Sequence, residues 1–559
     1  MAQHLVVALV LALSATGAWV DRYEDCIQSA DLDRKIRGCT QIIERGKQES
    51  QKNRAIADHT RAIAINPDDA YAYTNRGIAY EKKGEVDRAI ADFDKAIALN
   101  PKNAIAYYNR GNAYRKKGEV ASAIADYTRA IAINPDDAAA YTNRGITYQK
   151  KGEVARAIAD FDKAIALNPK RARAYYNRGK AYDDKGEVGR AIADYTKAIA
   201  HNRKDATAYF NRGNAYRKKG DFSRAIADYT RAIAINPDDA TAYFNRGNAY
   251  RKKGDFSRAI ADHTRAIAIN PDDAAAYTNR GIAYQKKGKV DRAIADFDKA
   301  IALDPKRARA YNNRGNAYRK KGNVDRAIVD YTKAIALDPK DAIAYANRGN
   351  VYRKKGDVDR AIADYTKAIA LDPKDAIAYF NRGLAYRKKG DFDCAIADHT
   401  RAIAINPDDA AAYTNRGIAY QKKGKVGRAI ADFDTAIALN PKRALAYYNR
   451  GNAYDDKGEV GRAIADYTKA IALDPKDARA YNNRGNAYRK KGNVDRAIAD
   501  YTKAIALDPK DAIAYFNRGL AYRKKGEADQ AIADFRKVLK INPSDQIAKN
   551  NLKRLGVTP

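Results

Sequence analysis

Apolar residues recur along most of the chain at the spacing of amphipathic helices. In one stretch Tyr73, Gly77 and Tyr80 lie three or four residues apart, and after a short polar break Ala89 and Phe93 resume that spacing. Side chains three and four residues apart share one side of an α-helix. The pattern therefore predicts two consecutive helices that each bury one side.

The ends of both predicted helices carry residues that favour helix termini. Asp69 is a good N-cap for the first helix, and Gly84 supplies the left-handed residue that ends it. The second helix is predicted from about Val86 to Leu99, because Pro101 cannot continue a helix. Each unit is predicted to be a helix, a tight turn and a second helix.

This two-helix unit recurs every 34 residues. With Ala70 as position 1 of the repeat, fourteen copies fill residues 70–545, and a degenerate fifteenth copy fits in phase at residues 36–69. One helix pair cannot bury its own apolar side, so neighbouring copies must stack. The sequence predicts an all-α solenoid, with residues 546–559 as a C-terminal capping helix.

Seven positions of the unit resemble the signature of the tetratricopeptide repeat family. In the first copy they are Tyr73, Gly77, Tyr80, Ala89, Phe93, Ala96 and Pro101. The resemblance implies a right-handed superhelical α-solenoid of about fourteen helix-turn-helix units, whose first helices line a concave surface. One departure is regular, since Arg occupies position 7, where the family usually has Leu or Ile; a bacterial variant of the family carries Asn-Arg-Gly there. Positions 7 and 23 are both constant, so Arg348 is predicted to pair with Asp364.

Positions 2, 5, 9 and 12 of the first helix vary between copies and lie together, opposite the constant residues; we call this side the groove face. It is predicted to face solvent and to be tuned to a ligand, with drift on a bare surface as the alternative. Eight copies carry Arg at position 12, among them Arg115, Arg217 and Arg251. Seven copies carry an aromatic residue at position 5: Tyr108, Tyr176, Phe210, Phe244, Phe380, Tyr448 and Phe516. Rings supply rigid contact area and Arg binds carboxylates, which favours peptide recognition.

Position 6 borders the groove face and is asparagine in every copy. An amide donates and accepts hydrogen bonds together, so a ladder of amides is predicted to hold the backbone of an extended peptide. The arrangement is similar to an asparagine ladder known within the family; a bond to the neighbouring helix is an equal alternative. The ladder comprises Asn75, Asn109, Asn143, Asn177, Asn211, Asn245, Asn279, Asn313, Asn347, Asn381, Asn415, Asn449, Asn483 and Asn517.

The distribution of charge predicts that the ligand of the groove face is anionic. The formal net charge is +36, and in the copy at residues 342–375 the first helix carries four cations and no acid, while acids lie on the second helix and the loops. A cationic stripe of this kind attracts acidic peptides, anionic envelope polymers or nucleic acid. Residues 1–18 have the layout of an export signal, which argues against a specific nucleic-acid partner.

The first residues of the chain indicate export. Residues 1–18 have the layout of a secretory signal peptide, with an apolar stretch before small residues, although the head lacks Lys and Arg; an uncleaved anchor is the alternative. Residues 19–69 are expected to form an N-terminal cap that holds the degenerate copy and a Cys26–Cys39 disulfide. The mature protein is predicted to be periplasmic or extracellular, without a transmembrane span.

No catalytic constellation is visible in the sequence. The histidines occupy packing positions or single deviating sites, and no phosphate-binding glycine loop, metal-ligand spacing or cofactor motif appears. We expect a non-enzymatic scaffold or adaptor that binds extended, acidic segments of other proteins. The alternative is a structural, polyanion-binding envelope protein that acts through charge alone; an enzyme would need a hidden site.

Overall fold

The computed structural model describes the backbone of residues 32–558 and the side chains of residues 48–558. Within these limits the chain forms α-helices and no strand, as predicted, and each helix packs against the next along the chain within its unit. The chain divides into two compact units, Met1–Pro271 and Asp272–Pro559. The first therefore holds repeats 1–6 and the second holds repeats 7–14.

The helices of the first unit begin with one long helix and continue as six pairs. They are α1 Leu32–Ile65, α2 Ala70–Lys83, α3 Val86–Leu99, α4 Ala104–Lys117, α5 Val120–Ile133, α6 Ala138–Lys151, α7 Val154–Leu167, α8 Ala172–Asp184, α9 Val188–His201, α10 Ala206–Lys218, α11 Phe222–Ile235, α12 Ala240–Lys252 and α13 Phe256–Ile269.

The second unit consists of eight pairs and a short last helix. They are α14 Ala274–Lys286, α15 Val290–Leu303, α16 Ala308–Lys321, α17 Val324–Leu337, α18 Ala342–Lys355, α19 Val358–Leu371, α20 Ala376–Lys389, α21 Phe392–Ile405, α22 Ala410–Lys422, α23 Val426–Leu439, α24 Ala444–Asp456, α25 Val460–Leu473, α26 Ala478–Lys490, α27 Val494–Leu507, α28 Ala512–Lys525, α29 Ala528–Ile541 and α30 Gln546–Arg554.

The helix ends follow the residues that were expected to set them. The Oδ1 atom of Asp69 accepts hydrogen bonds from the backbone N–H of Tyr71 and Ala72, at 2.8 and 3.1 Å. Gly84 has φ +94°, a left-handed conformation that favours glycine, and its backbone N–H donates to the carbonyl of Glu81. The glycine at this position takes a positive φ in all fourteen repeats.

The degenerate copy at residues 36–69 differs from the others. It contributes to a single continuous helix, α1, instead of a helix pair. The position that holds Gly84 in the first repeat holds Ser50 here, so the residue that ends the first helix elsewhere is missing. The predicted signal peptide, Cys26 and the side chain of Cys39 lie outside the described residues.

The core consists of small clusters that join one repeat to the next. Ala89 and Phe93 of α3 are fully buried and pack with Ala113 of the following repeat. Close packing needs the glycine at position 8, because a Cβ atom on Gly77 would lie 2.7 Å from Cε1 of Phe93. The last repeat has no successor, and the predicted capping helix takes that role: Leu552 of α30 is buried against Ala531 and Phe535.

The predicted pairing of positions 7 and 23 is confirmed. Nε and Nη2 of Arg348 donate to the two carboxylate oxygens of Asp364 at 2.9 and 2.8 Å. The same two-pronged contact occurs in every repeat, from Arg76–Asp92 to Arg518–Asp534. The regular departure of this sequence from the family pattern at position 7 is therefore a buried ion pair that ties the two helices of each repeat together.

Candidate functional site

The groove face combines exposed apolar residues at one end of each first helix with cations at the other. Position 2 is exposed where it carries a large apolar side chain, as at Ile343 and Ile377, which retain 65% and 70% of their accessible surface. Position 12 lies in the last turn of the helix, and Arg319 and Arg353 are followed there by lysines. The groove face is therefore apolar at one end of each of these helices and cationic at the other.

Position 5 is less exposed than expected. The prediction that it faces solvent is wrong for Thr74, Thr142, Thr278 and Thr414, and also for Asn312 and Asn482, which are all buried. The last residue of the repeat, just before the next first helix, bonds to Thr74, Thr142 and Thr414. The hydroxyl of Thr142, for example, donates to the carbonyl of Ala138 and accepts from Nε of Arg171.

The aromatic residues at position 5 are half-buried and contact the ring at position 24 of their own repeat. The ring centroids of Phe380 and His399 are 5.5 Å apart, and those of Tyr108 and Tyr127 are 6.0 Å apart. The same contact occurs at Tyr176, Phe210, Phe244, Tyr448 and Phe516. These rings pack against the core ring of their own repeat and are only partly exposed.

The asparagines at position 6 take part in packing. Nδ2 of Asn211 donates to the hydroxyl of Tyr176 in the preceding repeat at 2.8 Å. Similar bonds to the preceding repeat are made by Asn143, Asn347, Asn483 and Asn517. Bonds to a carbonyl of their own helix are made by Asn109, Asn177, Asn313, Asn415 and Asn449. Peptide binding by this ladder stays a prediction.

A second polar ladder, at position 9, was missed by sequence reasoning. The hydroxyl of Tyr365 donates to Oδ1 of Asn350 at 2.8 Å, and the same pair joins positions 24 and 9 in five other repeats. Where position 24 is Phe, position 9 is Ile or Leu, as in Phe535 and Leu520. The joint change of positions 9 and 24 between copies was the signal in the sequence that could have revealed this pairing. It indicates that position 9 is chosen to match the buried ring.

The cations of the first helices fall into two groups. Position 7 is held by the buried Asp at position 23, and several lysines at position 14 bind an Asp at position 18 of the preceding repeat, as in Lys355–Asp325 at 2.8 Å. Lysines at position 13 are neutralised where the preceding repeat carries an acid at position 12: Lys116 by Glu81, Lys218 by Asp183 and Lys490 by Asp455. Elsewhere the cations at positions 12 and 13 give the groove face its charge.

The described residues give little indication of a metal site, a membrane span or a reactive side chain. Among them, no group of three or more His, Cys, Asp or Glu residues is placed to hold a metal ion, and no helix has the length and apolar character needed to cross a membrane. His399 is fully buried, and burial lowers its pKa to about 3, helped by the positive charges of Arg387 and Arg416. Cys394 is an exposed free thiol.

The fold and the groove face define an α-helical repeat protein, and family models identify the repeat. A model described as "TPR repeat" matches residues 47–84, 82–118, 111–152, 213–254, 247–288, 315–356, 349–390, 383–424, 451–492 and 485–526. Models described as "Tetratricopeptide repeat" match residues 142–209, 194–227, 274–307, 297–329, 410–443 and 512–545. The chain belongs to the tetratricopeptide repeat family. It is a protein–protein interaction scaffold, and this fold is typically non-enzymatic.

Several solved structures are similar to the chain in part. They include "APC/C hetero-tetramer Cut9-Hcn1", with 19% identity, 86% of this chain and 95% of that chain covered, and a TM-score of 0.38. "YrrB: a TPR protein with an unusual peptide-binding site" has 29% identity, coverages of 33% and 95%, and a TM-score of 0.30. "MamA" has 34% identity, coverages of 29% and 94%, and a TM-score of 0.28. No curated protein sequence matches the chain.

Proposed function

We propose that the groove face binds extended, acidic segments of partner proteins, and that the chain serves as a scaffold or adaptor. The observation that carries the proposal is the run of position-12 arginines Arg319, Arg353 and Arg387, which line cavities without a carboxylate in the described part of the chain, whereas the arginines at position 7 are each held by a buried Asp. Arginine binds carboxylates through paired hydrogen bonds, and the exposed apolar residues at position 2 add contact area on the same side.

A second candidate is a polyanion-binding envelope protein. The net charge of +36 favours it, because charge of this size attracts any anionic polymer without a defined site. The signal-like residues 1–18 support an exported, periplasmic or extracellular location for either function. The two candidates differ in whether binding depends on the position of the charges or only on their number.

Two variants of equal charge separate the candidates. In the groove variant the eight position-12 arginines become Gln: Arg115, Arg217, Arg251, Arg319, Arg353, Arg387, Arg489 and Arg523. In the control variant eight exposed arginines at position 19, on the second helices, become Gln: Arg156, Arg190, Arg224, Arg258, Arg292, Arg326, Arg360 and Arg462. Each variant loses eight positive charges.

Affinity capture from a nuclease-treated envelope extract, at low and high salt, is the measurement. We expect defined proteins that stay bound to the wild type and to the control variant at high salt, and that the groove variant loses. Release of everything by salt, with both variants equally weakened, would support the polyanion candidate and overturn the groove proposal.

A further inference from the structure

The longest run of arginine at position 12 lies in repeats 8, 9 and 10 of the second unit. Arg319, Arg353 and Arg387 occupy the same place on α16, α18 and α20, and each is followed by two lysines. The other runs contain at most two repeats. Several of these shorter runs begin directly after a repeat that carries an acid at position 12. That acid neutralises a lysine of the following repeat, as Asp183 does for Lys218.

Two cavities open between these helices and share Arg353. The first, of about 530 Å³, is lined by Arg319, Lys320, Arg353 and Lys354 together with amide side chains. The second, of about 370 Å³, is lined by Arg353, Leu384, Arg387 and Lys388. No carboxylate lines either cavity among the described residues. The two cavities meet at Arg353, and we call the row of cations from three repeats that lines them the channel.

The cations of these cavities lack acidic partners within the described part of the chain. The neighbouring lysines at position 14 do have them, as in Lys389–Asp359 at 2.7 Å. Nε of Arg353 donates only weakly, to the hydroxyl of Tyr365 at 3.4 Å. Nε of Arg387 is buried without a hydrogen-bond partner, and burial lowers the pKa of this guanidinium. A bound anion would relieve that cost.

Two amides of the first cavity, Asn316 and Asn350, are oriented as donors. Oδ1 of Asn316 accepts from the hydroxyl of Tyr331 at 3.0 Å, and Oδ1 of Asn350 accepts from Tyr365 at 2.8 Å. The amide oxygens are engaged by the core, so each residue has its NH₂ group left for the cavity. Two fixed N–H donors among four cations suit a carboxylate.

Apolar side chains on the groove face favour a polypeptide over other anionic ligands. Leu384 at position 9 lies in the second cavity among three cations, in a place where most copies with Arg at position 12 carry Asn. Ile343 and Ile377 are exposed on α18 and α20, two of the three helices concerned. A polymer of phosphates offers nothing to these side chains, whereas a polypeptide with acidic and apolar residues does.

We infer that repeats 8–10 are the principal binding site for an extended peptide, with carboxylates on Arg319, Arg353 and Arg387 and an apolar side chain against Leu384. This inference rests on the proposed function, since it places acidic-peptide binding at one part of the groove face. The site arises where three arginine repeats follow one another without an acidic repeat beside them.

Fluorescence anisotropy of the full chain with a labelled Glu-Leu repeat peptide tests the inference. We expect Arg353→Gln with Arg387→Gln to weaken binding at least about tenfold, because two charge-assisted contacts are lost. Arg217→Gln with Arg251→Gln removes the same charge from the groove face of repeats 5 and 6 and is expected to weaken binding clearly less than the first pair does, because these repeats lie outside the principal site. Leu384→Gln should weaken the Glu-Leu peptide but not a Glu-Ser peptide of equal charge. Thermal unfolding of each variant checks that the fold is retained.

The possible results distinguish the location of the site in repeats 8–10 from peptide binding by the groove face in general. Equal weakening by both arginine pairs would overturn the location in repeats 8–10 but leave groove binding in place. No effect of either pair would overturn both proposals. Equally tight binding of an oligothymidylate of matched charge, with no effect of Leu384→Gln, would assign the channel to polyanions and also overturn the inference.

Discussion

Replacing Asp364 with alanine is expected to lower the free energy of unfolding by about 3–5 kcal/mol. Asp364 is buried and accepts both hydrogen bonds from Arg348, and these bonds are the main reason why the pKa of Arg348 is raised. Without the carboxylate, the half-buried guanidinium keeps one hydrogen bond to a neighbouring side chain, at 3.0 Å from the hydroxyl oxygen of Thr332. An uncompensated charge inside the helix pair is the cause of the loss.

Guanidinium unfolding followed by circular dichroism measures this effect. Asp359→Ala is the matched control, because Asp359 is an exposed acid of the same repeat that binds Lys389, and pairs of this kind contribute about 0–1 kcal/mol. The double variant Arg348→Met with Asp364→Ala removes the orphaned charge and is expected to recover part of the stability. If the double variant is as unstable as Asp364→Ala, the unpaired charge is not the cause.

His399→Phe is expected to stabilise the protein by about 1–3 kcal/mol at neutral pH. His399 is fully buried in α21, and neither ring nitrogen has a hydrogen-bond partner among the described residues. Position 9 of its repeat is Leu384, which is the class of residue found opposite Phe in other copies, as in Leu520 and Phe535. Space permits the change, because a Cβ atom on Gly417 would lie 2.7 Å from the ring of Phe433, the same distance as a Cβ atom on Gly383 from the ring of His399.

The advantage of His399→Phe should grow as the pH falls. The pKa of His399 is lowered to about 3 in the fold by burial and by Arg387 and Arg416, against an ordinary value of 6.5. Below pH 6.5 the unfolded chain binds a proton that the folded chain does not, so the wild type loses about 1.4 kcal/mol per pH unit down to about pH 3.

Unfolding curves at several pH values measure the difference between the two proteins. Tyr365→Phe serves as the control of opposite sign, since it loses the bond to Asn350 and should cost about 0.5–1.5 kcal/mol. That cost should not vary over this range, because burial raises the pKa of Tyr365 above its usual value. A His399→Phe advantage that stays constant between pH 7 and pH 4 would contradict the assignment of a buried, neutral histidine.

Most of the fold follows from the sequence because each repeat carries its own local signals. The glycine at Gly84 and the proline at Pro101 limit two helices whose observed bounds, Ala70–Lys83 and Val86–Leu99, agree with the predicted ones. The constant positions 7 and 23 also predicted the buried ion pair. The one difference, the continuous helix α1, arises where Ser50 replaces the glycine that ends the first helix elsewhere.

The groove face was predicted less well, because variation between copies does not distinguish solvent from a neighbouring repeat. A single helix seen alone suggests that Thr142 is exposed, whereas Thr142 is buried and bonds to Arg171, just before the next first helix. The role of Asn350 depends on Tyr365, fifteen residues later on the second helix, and is seen only when positions 9 and 24 are compared across copies. Contacts between elements, rather than patterns within one element, determine what the groove face presents.

The most direct test of the account asks which side of the repeat contacts a partner. A benzophenone amino acid placed at Ile377 lies on the groove face, and at Lys367 it lies on the exposed side of the second helix α19. Photo-crosslinking with the labelled Glu-Leu peptide is predicted to label the protein from Ile377 and to be blocked by unlabelled peptide, with no labelling from Lys367. Crosslinks from Lys367 as strong as those from Ile377 would contradict recognition by the groove face.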